Sequence, residues 1–86
     1  MSIFKFRSGE LLCIDVARRK GKLYLSDVAE IYDLPLQTNF DVERVKRKVR
    51  RLLDLQILKA TGEGWEYANE RDIPESAFMI QFQKRE

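Results

Sequence analysis

The 86 residues, 44% hydrophobic and 35% charged, are enough for one domain around one modest core. With no histidine and a single cysteine, an internal disulfide, the usual zinc ligand sets and a histidine-activated nucleophile are all excluded. The net charge of +2 hides an asymmetry: residues 1–60 hold 13 basic and 8 acidic side chains, for +5, whereas residues 61–86 hold 3 and 6, for −3.

"IFKFR" (3–7) alternates as a short N-terminal strand does. Ser8 is a good N-cap for "GELLCIDVARRKG", a helix ending at Gly21 with Arg18, Arg19 and Lys20 near its C-terminal dipole. Leu12, Cys13, Ile14, Val16 and Ala17 spread over roughly 200° of that helix, wider than one core contact requires. Either the helix lies deep between other elements or part of it meets a second copy of the chain. Cys13, inside this apolar pattern, reads as a buried structural thiol.

"KLYL" (22–25) is a brief strand, and Ser26 is placed to cap "DVAEIYD", a short helix stopped at Leu34-Pro35. The "LQTNF" that follows reads as a loop. Thr38 with Asp41 has the spacing of a capping box, and Asp41 is an equally good cap. "ILKAT" (57–61) and "WEYAN" (65–69) flank a Gly-containing loop and make a hairpin. Pro74 argues against a central strand in "ERDIPES" (70–76). "AFMIQFQ" (77–83) alternates Phe78, Ile80 and Phe82 as a C-terminal strand.

The most informative stretch is "DVERVKRKVRRLLDL" (41–55), in which six of the eight residues from Arg44 to Arg51 are basic. At about 100° per residue, Val42, Val45, Val49, Leu52 and Leu53 form a core-facing stripe. Arg44, Arg47 and Arg51 point away from that stripe, and Lys46, Lys48 and Arg50 lie on its flanks. Solvated helices usually mix signs, with Glu four residues before Lys or Arg. Here only Glu43 has such a partner, Arg47. The helix either faces a polyanion, faces water, or meets an acidic protein.

The order strand, helix, short strand, helix, helix, hairpin resembles the winged helix-turn-helix family. "YLSDVAEIYDL" resembles its second helix, with Ala29 at the small position where the two helices of the motif cross. "VKRKVRRLLDLQILKA" is similar to a recognition helix running into the first wing strand, and "GEGWEYA" to the wing and its returning strand. The likeness covers about residues 8–69. It implies an α+β winged-helix fold: three helices, a two-stranded wing hairpin, and short extra strands at 3–7 and 77–83, all in one domain spanning 1–86. Three departures carry expectations of their own. The turn from Asp33 to Phe40 is about twice the usual length, so the recognition helix starts late or tilts. Gln56 stands where Gly is usual and has to adopt a left-handed conformation. Glu63 and Glu66 place acid on the wing.

What the resemblance implies for function is double-stranded DNA binding by a small transcriptional regulator. Arg44 and Arg47 would enter the major groove, where arginine pairs with guanine. Gln37, Thr38 and Asn39 would reach base edges or phosphates, and Lys46, Lys48, Arg50, Arg51 and Lys22 would hold the backbone. A homodimer through helix 1 and the terminal strands is expected. The alternative is a winged-helix protein-interaction module, with a protein partner on the acidic wing. No phosphate-binding loop is present, and Asp27 with Glu30 or Asp41 with Glu43 are ordinary surface helix acids, so neither an enzyme nor a cofactor is expected. No apolar run approaches the roughly 18 residues of a membrane span, and "MSIFKFRSGE" lacks the h-region and cleavage site of a signal peptide. The expected location is cytoplasmic and nucleoid-associated.

Overall fold

The computed structural model describes residues 5–78. They form a small α+β domain: α1 (Ser8–Lys20), β1 (Lys22–Tyr24), α2 (Leu25–Tyr32), α3 (Asn39–Lys48), α4 (Arg50–Asp54), β2 (Leu58–Ala60), β3 (Gly64–Tyr67) and a closing 3-10 turn (Glu75–Phe78). The three strands make one antiparallel sheet in the order β1-β3-β2, with Leu23 and Ala60 both in register with Trp65. The hairpin is therefore not free-standing. The short strand between the first two helices completes it and joins it to the core.

The core is filled from every element. Ile14, Leu23, Val28, Val45, Val49, Leu52 and Ile57 are all fully buried. The apolar stripe of the basic helix is thus turned inward: Val45, Val49 and Leu52 are buried, and Val42 and Leu53 half-buried. Ala29 is buried on α2, which packs against α3. Most of the wide apolar arc of α1 is covered from within the chain, with Leu12 left half-buried outside the cluster. Leu11, Cys13, Ile14 and Ala17 are buried in one cluster with Ile73 and Phe78 of the C-terminal segment, and Phe6 packs at its edge with its ring centroid 5.8 Å from that of Phe78.

Three helices end on a residue in the left-handed region. Gly21 (φ 82) donates to the Ala17 carbonyl, the single-bond form of a helix stop. Asp33 (φ 55) and Gln56 (φ 62) sit in the two-bond Schellman form. In the first, Leu34 N–H donates to Ala29 at 2.8 Å and Asp33 N–H to Glu30 at 3.2 Å; in the second, Ile57 N–H donates to Leu52 at 3.0 Å and Gln56 N–H to Leu53 at 2.9 Å. The left-handed Gln56 expected from the sequence is present.

Several local expectations are corrected. Ser8 does not cap α1 but is its first residue; Glu10 Oε1 instead accepts from the Arg7 backbone N–H at 3.0 Å. Ser26 likewise lies inside α2, and Asp27 accepts from the Tyr24 N–H at 2.9 Å. In both cases the acid at the third helical position reaches back, so no hydroxyl is needed at the cap. The basic helix starts at Asn39 rather than Asp41, and it is two helices rather than one. At Val49 (φ −105, ψ 5) the N–H turns to the Lys46 carbonyl at 3.2 Å, a three-residue bond that tightens the chain and separates α3 from α4. Lys5–Arg7 form no strand, and Ala77 and Phe78 belong to the 3-10 turn. Phe6 and Phe78 find cover against each other and α1 instead of on a sheet. The remainder of both expected terminal strands, with Ile80 and Phe82, lies outside the described residues.

Candidate nucleic-acid interface

α3 opens on a complete capping box. The Thr38 hydroxyl accepts from the Asp41 N–H at 3.1 Å, and the Asp41 carboxylate accepts from the backbone N–H groups of Gln37 at 2.9 Å and Thr38 at 3.1 Å. Those hydrogen bonds, above all the one from Gln37, hold the Asp41 carboxyl below its ordinary range, and Arg44 adds to the effect. The box fixes the phase of the helix: once it starts at Asn39, Val45 must face inward, and Arg44, Arg47 and Lys48 outward.

Among the described residues the cations at the end of α1 and those on α3 and α4 differ in their pairing. Those at the end of α1 are paired: Arg18 with Glu75 at 2.6 Å, Arg19 with Asp15 at 3.1 Å, and Lys20 with Asp27 at 3.2 Å. Lys59 on β2 pairs with Glu70 at 3.3 Å. Arg44, Lys46, Arg47, Lys48 and Arg50 are all exposed, and none forms a salt bridge with a described residue. Lys48 rests its ammonium 5.1 Å from the centroid of the Tyr32 ring, a contact that leaves its charge facing solvent. Gln37, Thr38 and Asn39 are exposed at the head of the same helix.

Arg51 differs from its neighbours. Helical extrapolation groups it with Arg44 and Arg47, but beyond Val49 its guanidinium turns to α1. It donates to Glu10 Oε1 and to the Lys5 carbonyl, both at 2.8 Å, and lies over the Phe6 ring. Glu10, buried at 6% exposure, is the partner that draws it there.

Around this pair lies an open basin of about 670 Å³ between the start of α1 and the α3–α4 junction, lined by Arg7, Arg47, Lys48, Arg50 and Arg51 with Glu10, Asp54 and Tyr32. Arg7 is the member the sequence reading missed, because only the fold brings the start of α1 to the end of the basic helix. With Glu10 neutralised by Arg51, the basin is strongly positive. Its chemistry suits a phosphate group, for which clustered guanidinium and ammonium donors supply both charge and hydrogen bonds.

The tip of the β2–β3 hairpin carries one acid rather than two. Glu63 is exposed at the tip, where the Thr61 hydroxyl accepts from the N–H groups of Glu63 at 3.4 Å and Gly64 at 3.2 Å. Glu66 is not at the tip: it stands mid-strand on β3, in register with Lys22 on one side and Lys59 on the other. Between the hairpin and α3 runs a cleft of about 400 Å³, lined by Leu25, Val42, Leu53, Trp65, Lys46 and the turn Thr61–Gly64.

Cys13 is fully buried, and burial pushes its thiol up to about 12, so it stays protonated and unreactive. Among the described residues no three His, Cys, Asp or Glu side chains gather as a metal site, and no helix is long and apolar enough to cross a membrane. No protein-family model, no curated protein and no solved structure matches this chain.

Proposed function

We propose that the chain is a winged helix-turn-helix protein that binds double-stranded DNA with α3 in the major groove and acts as a small transcriptional regulator. The observation that carries this reading is the division of charge. Five neighbouring cations on α3 and α4 form no salt bridge with a described residue, while those at the end of α1 are paired. Arg44 and Arg47 face bases; Lys46, Lys48 and Arg50, with Arg7 across the basin, hold phosphates. Gln37, Thr38 and Asn39 lie where the helix enters the groove, although the Thr38 hydroxyl is engaged in capping. The pairing of β1 with β3 supports the winged-helix reading, since it ties the hairpin to the helices.

The test is a salt titration of binding to duplex DNA. Affinity should fall by roughly 0.9 log units per log unit of salt for each phosphate contact. Arg47→Ala should cost about 1–3 kcal/mol with relaxed specificity at one position. Salt-independent binding, or an Arg44/Arg47/Arg50 triple alanine that binds as the parent does, would sink the reading. Two copies on one duplex would present α3 to successive major grooves about 34–36 Å apart; sedimentation equilibrium at micromolar concentration separates such a dimer from the 10.2 kDa monomer. The second reading, a protein-interaction module, is favoured by the apolar cleft between hairpin and α3 and predicts that cleft variants abolish function while DNA affinity is untouched.

A further inference from the structure

Among the described residues one large apolar side chain is left exposed: Phe40, at 67%. It belongs to the first turn of α3, one turn before Arg44 and two before Arg47. At about 100° per residue these three side chains share an arc of about 60°. The Thr38–Asp41 box and the burial of Val45 and Val49 fix that phase, so Phe40 cannot rotate inward without unseating the helix. A phenyl ring is thereby held in water at the head of an arginine ridge. A purely electrostatic surface has no use for it.

We infer that Phe40 reads a thymine through its 5-methyl group, in the same groove that Arg44 and Arg47 enter. The inference rests on the DNA-binding reading above and adds a base to it. Apolar contact with the thymine methyl is one of the few ways a side chain without hydrogen-bonding groups distinguishes a base pair in the major groove, and phenylalanine is among the residues that make it. The spacing agrees. Phe40 and Arg47 are separated by about 10 Å along the helix axis, roughly three base-pair steps. The ring therefore meets a base pair on the same groove floor as the guanines facing the two arginines, displaced toward the helix N-terminus. The positive charge beside it favours DNA over an apolar protein partner as the occupant.

The experiment selects a bound duplex from a random library and then replaces each thymine singly by deoxyuridine, which removes only the methyl group. At one position within about three base pairs of a guanine, the parent protein should lose about three- to fivefold in affinity, the worth of one methyl contact. Phe40→Ala should bind the thymine duplex about that much more weakly and be indifferent to the uracil there. Because the ring touches no core, the variant should keep the parent's thermal midpoint. Salt-dependent DNA binding with no uracil-sensitive position overturns this inference and leaves the DNA reading standing. So does Phe40→Ala retaining full sensitivity. Failure to bind any duplex at low salt overturns both. Loss of an oligomer in Phe40→Ala at unchanged DNA affinity would assign the ring to a protein contact and reject the thymine.

Discussion

Arg51 and Glu10, 41 positions apart in sequence, meet at 2.8 Å and tie the junction of the basic helices to the first turn of α1. The Glu10 side chain is 8% exposed and that of Arg51 46%, so the acid depends on the pair more than the base does. Arg51→Ala should therefore cost about 1–3 kcal/mol, because it removes the counter-charge and leaves the buried carboxylate only the Arg7 N–H as a donor, and lower the thermal midpoint accordingly. Under the proposed DNA reading, the salt slope of its binding should stay near that of the parent. Arg50→Ala should do the reverse, with a slope reduced by about 0.9 and stability barely moved. Thermal melts and salt titrations on both variants check the assignment.

The two hairpin acids should respond differently to charge reversal. Glu63→Lys, at the tip, should leave stability unchanged and, under the proposed DNA reading, strengthen non-specific binding if the hairpin lies near phosphate. Glu66→Lys would set three lysines in register across β1, β3 and β2, and like charges directly opposite destabilise a sheet by up to about 1 kcal/mol per pair. Urea denaturation of the two variants should separate them.

At Gln56 the helix stop is made by the wrong residue. A left-handed conformation costs a side chain about 1–2 kcal/mol, while glycine gives up about 0.4–1 kcal/mol through its freer unfolded state. Gln56→Gly should therefore stabilise the protein by about 0.5–1 kcal/mol, a rise of about 2–8 °C in Tm for a domain of this size. Both Schellman hydrogen bonds remain backbone to backbone, so the exposed side chains of α3 do not move. A calorimetric melt decides the sign.

Asp41 links the head of α3 to pH. Its folded pKa lies below the unfolded value, so its contribution is complete above the ordinary carboxylate range near 3.9 and is lost as pH falls through the lower folded value. The amide signals of Gln37 and Thr38, followed by NMR below about pH 4, should titrate together with a midpoint under that of a free aspartate. A midpoint at or above it would mean that the box is open in solution.

How much of this was legible in advance depends on the range of the interaction responsible. The stripe from Val42 to Leu53, the hairpin around Gly62–Gly64 and the left-handed Gln56 follow from periodicity, turn chemistry and a missing glycine, all local signals. The break at Val49 carries no such mark, since valine is an ordinary helix residue and neither proline nor glycine is near. The two serines are not the caps because an acid at the third helical position competes for the same task. A helical projection groups Arg51 with its neighbours because it contains no α1, and it carries no sign of Arg7 for the same reason. The exposure of Phe40 depends on where α3 begins, a matter of about one hundred degrees per residue.

The register of Leu23 with Trp65 has a kinetic side. Everything from Tyr24 to Gly64, including both helices that carry the basic surface, is a loop closed by that one strand pairing. Helical turns form quickly and locally, whereas bringing β1 to β3 has to close a long loop at a cost in chain entropy. The joining of β1 to the local β2–β3 hairpin is then expected late in folding, and a nascent chain released before Tyr67 would lack the clasp against which its short helices, marginal on their own, are held.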